Sequence, residues 1–524
     1  MGTPDAVPDR PVPHTLAPGR LGAAAIAFFA LAVTAPIAVL ITVVPAAYAT
    51  GGGPLVPLSF LVLGVVLILF ATGYAAMANR SPFAGAMSTY VTRGLGRPAG
   101  VGAAWLALGS YQVLQLGLYG LVGAAAAPLL GSWFGVSAEW WVVAAGCWLL
   151  VALCGTIRIE VSSGLIALLV LTEAAVAAGF ATANALDPGA GGLTAGTILP
   201  SGPELDRPAL GLLLAVGMLA FVGFEATGAY AEEAIRPRRD AGRAAVVTVA
   251  VFAVLLAGTS WSLSAAAGAD RITELARTRG SELLFDLAGA RLAPWAVTLG
   301  RLLLLTGLIA AILGLHHALS RHLFALGRER VLPSRWGRTS RRTLAPRAAS
   351  LAQSAVTALL LAGAAAVGVP DAPLIGRRLM IAGSLGVLIL VLVTSVATLL
   401  HLNRVPDGEG AFTRFVAPAL ATVALGSIAY LVVRDLAFLL GVPGSSPWRW
   451  IVPVSLAAVA SIGVLHALIL RAARPVVYAG IGQGGVPVVV TPAAPRPLSP
   501  APPPSRPRPS SPEPGAHRPE RVHR

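Results

Sequence analysis

Lysine is absent from this chain: all 38 basic residues among its 524 are arginine. Any mechanism that depends on a lysine, such as a Schiff base or a P-loop phosphate anchor, is therefore closed to it. A GC-rich coding bias accounts for the absence. Charge of either sign is scarce, at 12% of residues against 56% hydrophobic. With a mean hydropathy of +0.77, these values exclude a soluble globular domain. There are two cysteines, Cys147 and Cys154, seven residues apart on one apolar run. At about 1.5 Å rise per residue they lie too far apart to bridge within one helix, and they read as free, buried thiols. No P-loop pattern supplies ATP chemistry, and no HExxH, paired-Asp or GxSxG pattern equips a loop for catalysis. The first 20 residues are polar and proline-bearing and the first apolar run is too long for an h-region, so no cleavable leader is expected.

What the chain does contain is apolar runs of membrane-spanning length. Twelve candidates fall near 21–49, 55–78, 99–128, 139–157, 161–184, 208–231, 244–268, 293–322, 349–369, 378–402, 413–434 and 450–471. The fold class predicted is an all-α integral membrane protein of about twelve transmembrane helices. The formal charge of +15 is distributed with a bias. With the N-terminus cytoplasmic, 28 arginines fall in inner tails and loops, nine in outer loops, and Arg301 alone within a span. That asymmetry predicts a multi-pass protein of the cytoplasmic membrane with both termini inside, partnered by lipid and not by nucleic acid. Tryptophans at 140–141 and at 448 and 450 mark outer boundaries. The outer stretch 185–207 reads as a Gly/Pro-rich loop and 269–292 as an interfacial amphipathic helix. The seven arginines of 323–348 read as a solvated inner loop near anionic lipid. Residues 472–524 are predicted to leave the membrane as a disordered tail, proline supplying 12 of the last 34 residues.

Two spans are interrupted. Residues 208–231, PALGLLLAVGMLAFVGFEATGAYA, carry glycines at 217, 223 and 228 beside Glu225, and residues 21–49 carry Pro36. Glycine weakens a helix, and proline removes a donor and clashes with the preceding turn. Loosened backbone at membrane depth is tolerated only where protein or a water-filled path satisfies it. Two such breaks in corresponding positions point to the binding site of a secondary transporter.

Ionisable groups within spans are functional candidates by default. Glu225 is a structural or gating acid, or a group meeting a substrate amine. Glu173 has a proton-carrying or a helix-packing role. His316 and His317 face different ways, so at most one reaches a central cavity, and either a relay or a bond to a carbonyl suits them. Arg301 is read as snorkelling to the interface. Glu232 and Glu233, followed by Arg236, Arg238 and Arg239, suggest gate contacts with Arg93 or Arg97, or a solvated boundary. Tyr111, Gln115 and Tyr119 share one helix face and are secondary candidates for substrate contact.

Five segments carry a resemblance: TAPI at 34–37, AGAMSTYVTRGLGRPAG at 84–100, FVGFEATGAYAEEAIRPRR at 221–239, HHALSRHLFALGRERVLP at 316–333 and RPVVYAGIG at 474–482. In order and spacing over residues 20 to 480 they resemble the amino acid–polyamine–organocation superfamily of permeases. The resemblance implies a leucine-transporter-like core of two inverted five-helix repeats, 21–184 and 208–402. Peripheral helices at 413–471 and tails at 1–20 and 472–524 complete the division. It also implies that helices 1 and 6 unwind at the midplane and offer N–H groups to an amino acid carboxylate. Carried over, Thr34, Ala35, Pro36 and Ile37 fall on the first break and Phe221, Val222, Gly223 and Phe224 on the second. The family's glycines in helix 1 are replaced by alanine and proline, and Pro36 lacks a donor outright. Where proton-coupled members place a basic residue on helix 5, this chain has Ser162, Ser163 and Gly164. Protonic coupling would then rest on Glu173, Glu225 or the histidines.

The expected function is a secondary active transporter for an amino acid or related small amine, coupled to H⁺ or Na⁺, with no other cofactor and no catalytic residue. The alternatives are a membrane transferase and a non-transporting sensor on the same fold. Substrate identity, coupling ion and oligomeric state are not legible.

Overall fold

The structure, a computed structural model, describes residues 15–135, 137–189, 207–369 and 371–485. Every extended element among them is a helix, since in lipid only a helix or a closed barrel satisfies its own backbone. In chain order these are α1 (Ala23–Thr34), α2 (Pro36–Ala47), α3 (Leu55–Arg80), α4 (Ala86–Leu95), α5 (Arg97–Phe134), α6 (Trp140–Cys154) and α7 (Ile159–Leu186). Next come α8 (Arg207–Ala220), which runs into a break followed by a 3-10 stretch, Phe224–Glu233, and then α9 (Asp240–Ala267). The rest are α10 (Ile272–Arg279), α11 (Leu283–Gly289), α12 (Pro294–Arg328), α13 (Arg347–Val367), α14 (Ala372–Arg404), α15 (Ala417–Arg434), α16 (Leu436–Leu440), α17 (Trp448–Ala473) and α18 (Pro475–Gly480). Following the arginine distribution, we call the face that carries α4 and α18 inner and the face that carries α10 and α11 outer.

Among the described residues ten helices are long and apolar enough to cross a membrane, or eleven when α1 and α2, bent by 46°, count as one span. The difference from twelve lies at 139–157. There α6 has 15 residues, about 22 Å at 1.5 Å per residue, against a hydrocarbon core of about 30 Å. The protein is a multi-pass membrane protein. Its outward helix faces are apolar, with Leu168 63%, Leu359 74% and Val423 70% exposed, which in water would be a liability. Burial grades the helices: 67% of the window through the α8 break is buried against 11% for α17, so the broken span is central and α17 lipid-facing.

Two predicted boundaries move. The helix predicted to end at residue 322 continues to Arg328, which leaves Arg321 about two turns from its end and not at it. The segment predicted to be a tail from residue 472 is ordered to residue 485. Its Ile481 is buried among Val101, Ala104, Leu326 and Leu470, and the N–H groups of Gly482 and Gly484 donate to Glu329 at 3.1 and 3.2 Å. The remainder of the tail, with residues 1–14 and 190–206, lies outside the described residues. The stretch 269–292 is helical as predicted, as α10 and α11.

Candidate functional site

The first break is built around Ala35, which adopts φ 49 and ψ 70 between α1 and α2. A left-handed alanine costs about 1–2 kcal/mol, so the surroundings must hold it. Pro36 suits the first position of α2 because its fixed φ matches a helix and its missing N–H would be unpaired there anyway. Thr34, whose hydroxyl donates to the Leu31 carbonyl at 2.7 Å, is committed to its own helix. The next free donor of α2 is the N–H of Ile37, and it is taken by Glu173 Oε2 of α7 at 3.4 Å.

The second break follows α8. Gly223 has φ 125, a conformation side chains rarely adopt, and a Cβ there would lie 2.9 Å from the Thr34 nitrogen and from Val33 Cγ1. Glycine is thus required twice: for its dihedral, and because the two breaks touch at this point. The N–H of Gly223 donates to Glu225 Oε2 at 2.8 Å, so the acid, at the second position of the 3-10 stretch, reaches back to satisfy the residue before it. Tyr111 of α5 donates to Glu225 Oε1 at 3.0 Å, and Tyr74 of α3 donates to the Glu225 carbonyl at 3.3 Å.

The structure therefore brings together Thr34, Ala35, Pro36, Ile37, Gly223, Glu225, Glu173 and Tyr111 from the sequence candidates. Phe221 and Phe224 turn away to pack edge-on against Phe252 and Phe70, at 5.7 and 5.8 Å between centroids, and line the second break from behind. Val222 is partly buried against the core. The polar stripe of α5 divides. Gln115 donates to the Ile312 carbonyl at 3.2 Å and accepts from Gln353 at 2.8 Å, which commits it to a network with α13, and Tyr119 is buried two turns from Tyr111. His316 bonds Ser350 at 2.9 Å, so it faces α13, whereas His317 meets the edge of Phe29 in α1 at 5.7 Å between centroids. Ser162 and Ser163 are buried in the first turn of α7. Arg301 pairs with Glu282 and lies half exposed over Phe285, at the outer boundary. Both cysteines are free.

The inner end of the site is closed by ion pairs that differ from the expected ones. Glu232 pairs with Arg328 of α12, at 2.8 Å for Nη1, and accepts the N–H of Ala84. Its predicted partner Arg97 instead donates to the Ala479 carbonyl at 3.0 Å and covers the Tyr478 ring. The reason is reach: with α12 extended to Arg328, its two arginines lie closer to the end of the 3-10 stretch than α4 or α5 does. Glu233 and Arg321 form a fully buried bidentate pair, 1% and 2% exposed, with Nη2 to Oε1 at 2.9 Å and the guanidinium 4.8 Å from the Tyr230 ring. Arg321 is the site residue that sequence reasoning missed. The signal available was its position one turn past His317 on the same helix. A further ring contact, His322 to Tyr111 at 5.9 Å, ties α12 to the residue that holds Glu225.

A family model described as amino acid permease matches residues 25–458. Over 88 residues the chain is 34% identical to a probable GABA permease of Pseudomonas aeruginosa (strain ATCC 15692), a match covering 17% of this chain and 18% of that relative. Both breaks lie inside the family match, as do both acids and the Glu233–Arg321 pair.

Proposed function

The chain belongs to the amino acid permease family, and from that premise we propose that it is a secondary active transporter working by alternating access across the cytoplasmic membrane. As a permease it is a transporter and not an enzyme, which removes the transferase alternative. The substrate proposed is an amino acid or related small amine, a class that includes the compound in the Pseudomonas relative's name. The observation that carries the reading is the contact of the two helix breaks at Gly223 and Thr34 with a buried acid, Glu225, bonded across them to α5. Backbone broken at membrane depth, with an ionisable group at the break, is the arrangement a midplane site requires.

The two five-helix inverted repeats, 21–184 and 208–402, belong to the same proposal, as do cytoplasmic termini and ion coupling. No lysine exists to serve coupling, so a coupled proton would be carried by the buried acids. Glu225, hydrogen-bonded to Gly223 and Tyr111, is the first choice. The test is uptake of radiolabelled amino acids and amines into proteoliposomes of the full chain, with and without an imposed pH gradient. We expect accumulation that collapses with the gradient and in Glu225→Gln. Uptake that follows external sodium instead would shift coupling to hydroxyls and carbonyls, and absence of flux under every gradient would leave the sensor reading.

A further inference from the structure

The resemblance to amino acid permeases assigns the N–H groups of the broken first helix to a substrate's carboxylate, but in this chain the first two positions of α2 offer it none. Pro36 has no N–H, and the N–H of Ile37 donates to Glu173 Oε2 at 3.4 Å. At the second break, the N–H of Gly223 donates to Glu225. Both acids are 1% exposed, and neither pairs with a cationic side chain among the described residues. The buried Arg321 is committed to Glu233. Among the described residues Glu173 Oε1 has no hydrogen-bond partner. Its position is built by α12: a Cβ on Gly307 would lie 2.3 Å from that oxygen, so only glycine leaves room for the carboxyl at the start of α2.

Resting on the transporter reading, we infer that Glu173 is a specificity-determining residue: a built-in carboxylate that takes the place of the substrate's own at the first break and selects amines lacking a carboxylate. The physical argument has two parts. A second carboxylate would compete with Glu173 for the Ile37 N–H, and would bring like charge next to an acid in a poorly solvated setting, which is strongly unfavourable. A cationic amine supplies the counter-charge that two unpaired buried acids lack.

The experiment uses the full chain in proteoliposomes and compares matched probes that differ by one carboxylate: agmatine with arginine, cadaverine with lysine, and propylamine with 4-aminobutyrate. Uptake and competition are read for the wild type, for Glu173→Gln, and for Gly307→Ala, which displaces the carboxyl by steric contact while leaving the acid in place. Amines are expected to be preferred about tenfold or more by the wild type. Both variants should shift that ratio at least tenfold toward the carboxylate-bearing partners. Thermal stabilisation of the purified protein by the same probes reads binding where a variant no longer transports. Wild-type preference for the carboxylate-bearing member of the pairs, or a ratio unmoved in both variants while uptake persists, would overturn the role of Glu173 and leave the transporter reading intact. If the wild type neither transports nor binds any probe of either kind, the transporter reading itself falls and the selectivity of Glu173 with it.

Discussion

At the scale of single residues, the most exacting element is the pair of Glu233 and Arg321. Each would be costly alone in this setting, and together they satisfy each other through two hydrogen bonds. Arg321→Met strands a buried carboxylate, at an expected cost of about 3–5 kcal/mol. Replacing both residues with methionine removes the charge and keeps the volume, so the double variant should melt above the single one. Thermal melts of the four proteins in a double-mutant cycle check this. A second pair responds to pH. Glu409, in the loop between α14 and α15, is raised by its partial burial, but the hydrogen bonds it accepts from Arg80 and from nearby N–H groups hold its carboxyl below the ordinary 4.5. A depressed carboxylate stabilises the fold above its ordinary value, and that contribution disappears as pH falls through the depressed one. The melting temperature is therefore expected to drop on acidification below about pH 4.5, and Glu409→Gln should be less stable at neutral pH and flatter below it.

Elements carry the breaks. Gly223→Ala places a side chain at φ 125 and drives its Cβ into the Thr34 nitrogen and Val33. The two breaks would be forced apart, with an expected fall in uptake of tenfold or more, whereas Gly179→Ala, on the same helix as Glu173 but with open space at its Cβ, should transport normally. Parallel uptake assays of the two variants check the contrast. Both breaks were legible in the sequence because proline and glycine act on the backbone directly, through a missing donor and a permitted dihedral. Ala35 was less legible. Nothing in an alanine announces a left-handed conformation: Pro36 only disfavours the right-handed helical region at Ala35, and the close approach of Val33 and Thr34 to the second break is a tertiary contact the sequence does not show. Glu173 could be placed within a span, but not against Ile37, 136 residues away, because periodicity reports a helix face and not its neighbour. Arg321 was missed for a related reason: an arginine near a span's end marks a boundary in most membrane helices, and only the acid facing it shows that this one is inside.

For the whole molecule, the run of apolar segments made the membrane class and most spans readable, and composition made the tail look featureless. The ordered part of that tail depends on contacts with α5 and α12 that composition does not encode: Ile481 fills an apolar niche and two glycine N–H groups find Glu329. Glu329 neighbours Arg328, which holds Glu232, so the segment braces the inner closure. Removing residues 475–524 should loosen that closure. The expected result is faster labelling of a cysteine introduced at Ala84, where Glu232 docks, with a maleimide applied from the inner side.

The inner ends of the two broken helices are also sewn to each other. The N–H groups of Arg20 and Leu21 donate to the Glu233 carbonyl and that of Ile235 to Leu21, making the isolated parallel bridge between Leu21 and Ala234. The stretch entering α1 and the stretch leaving the second break thus share a short strip of β-pairing at the membrane's edge. In mechanical terms this reduces two moving parts to one. Under the proposed alternating access, opening one inner half-helix without the other would break three backbone bonds, each worth about 0.5–1.5 kcal/mol.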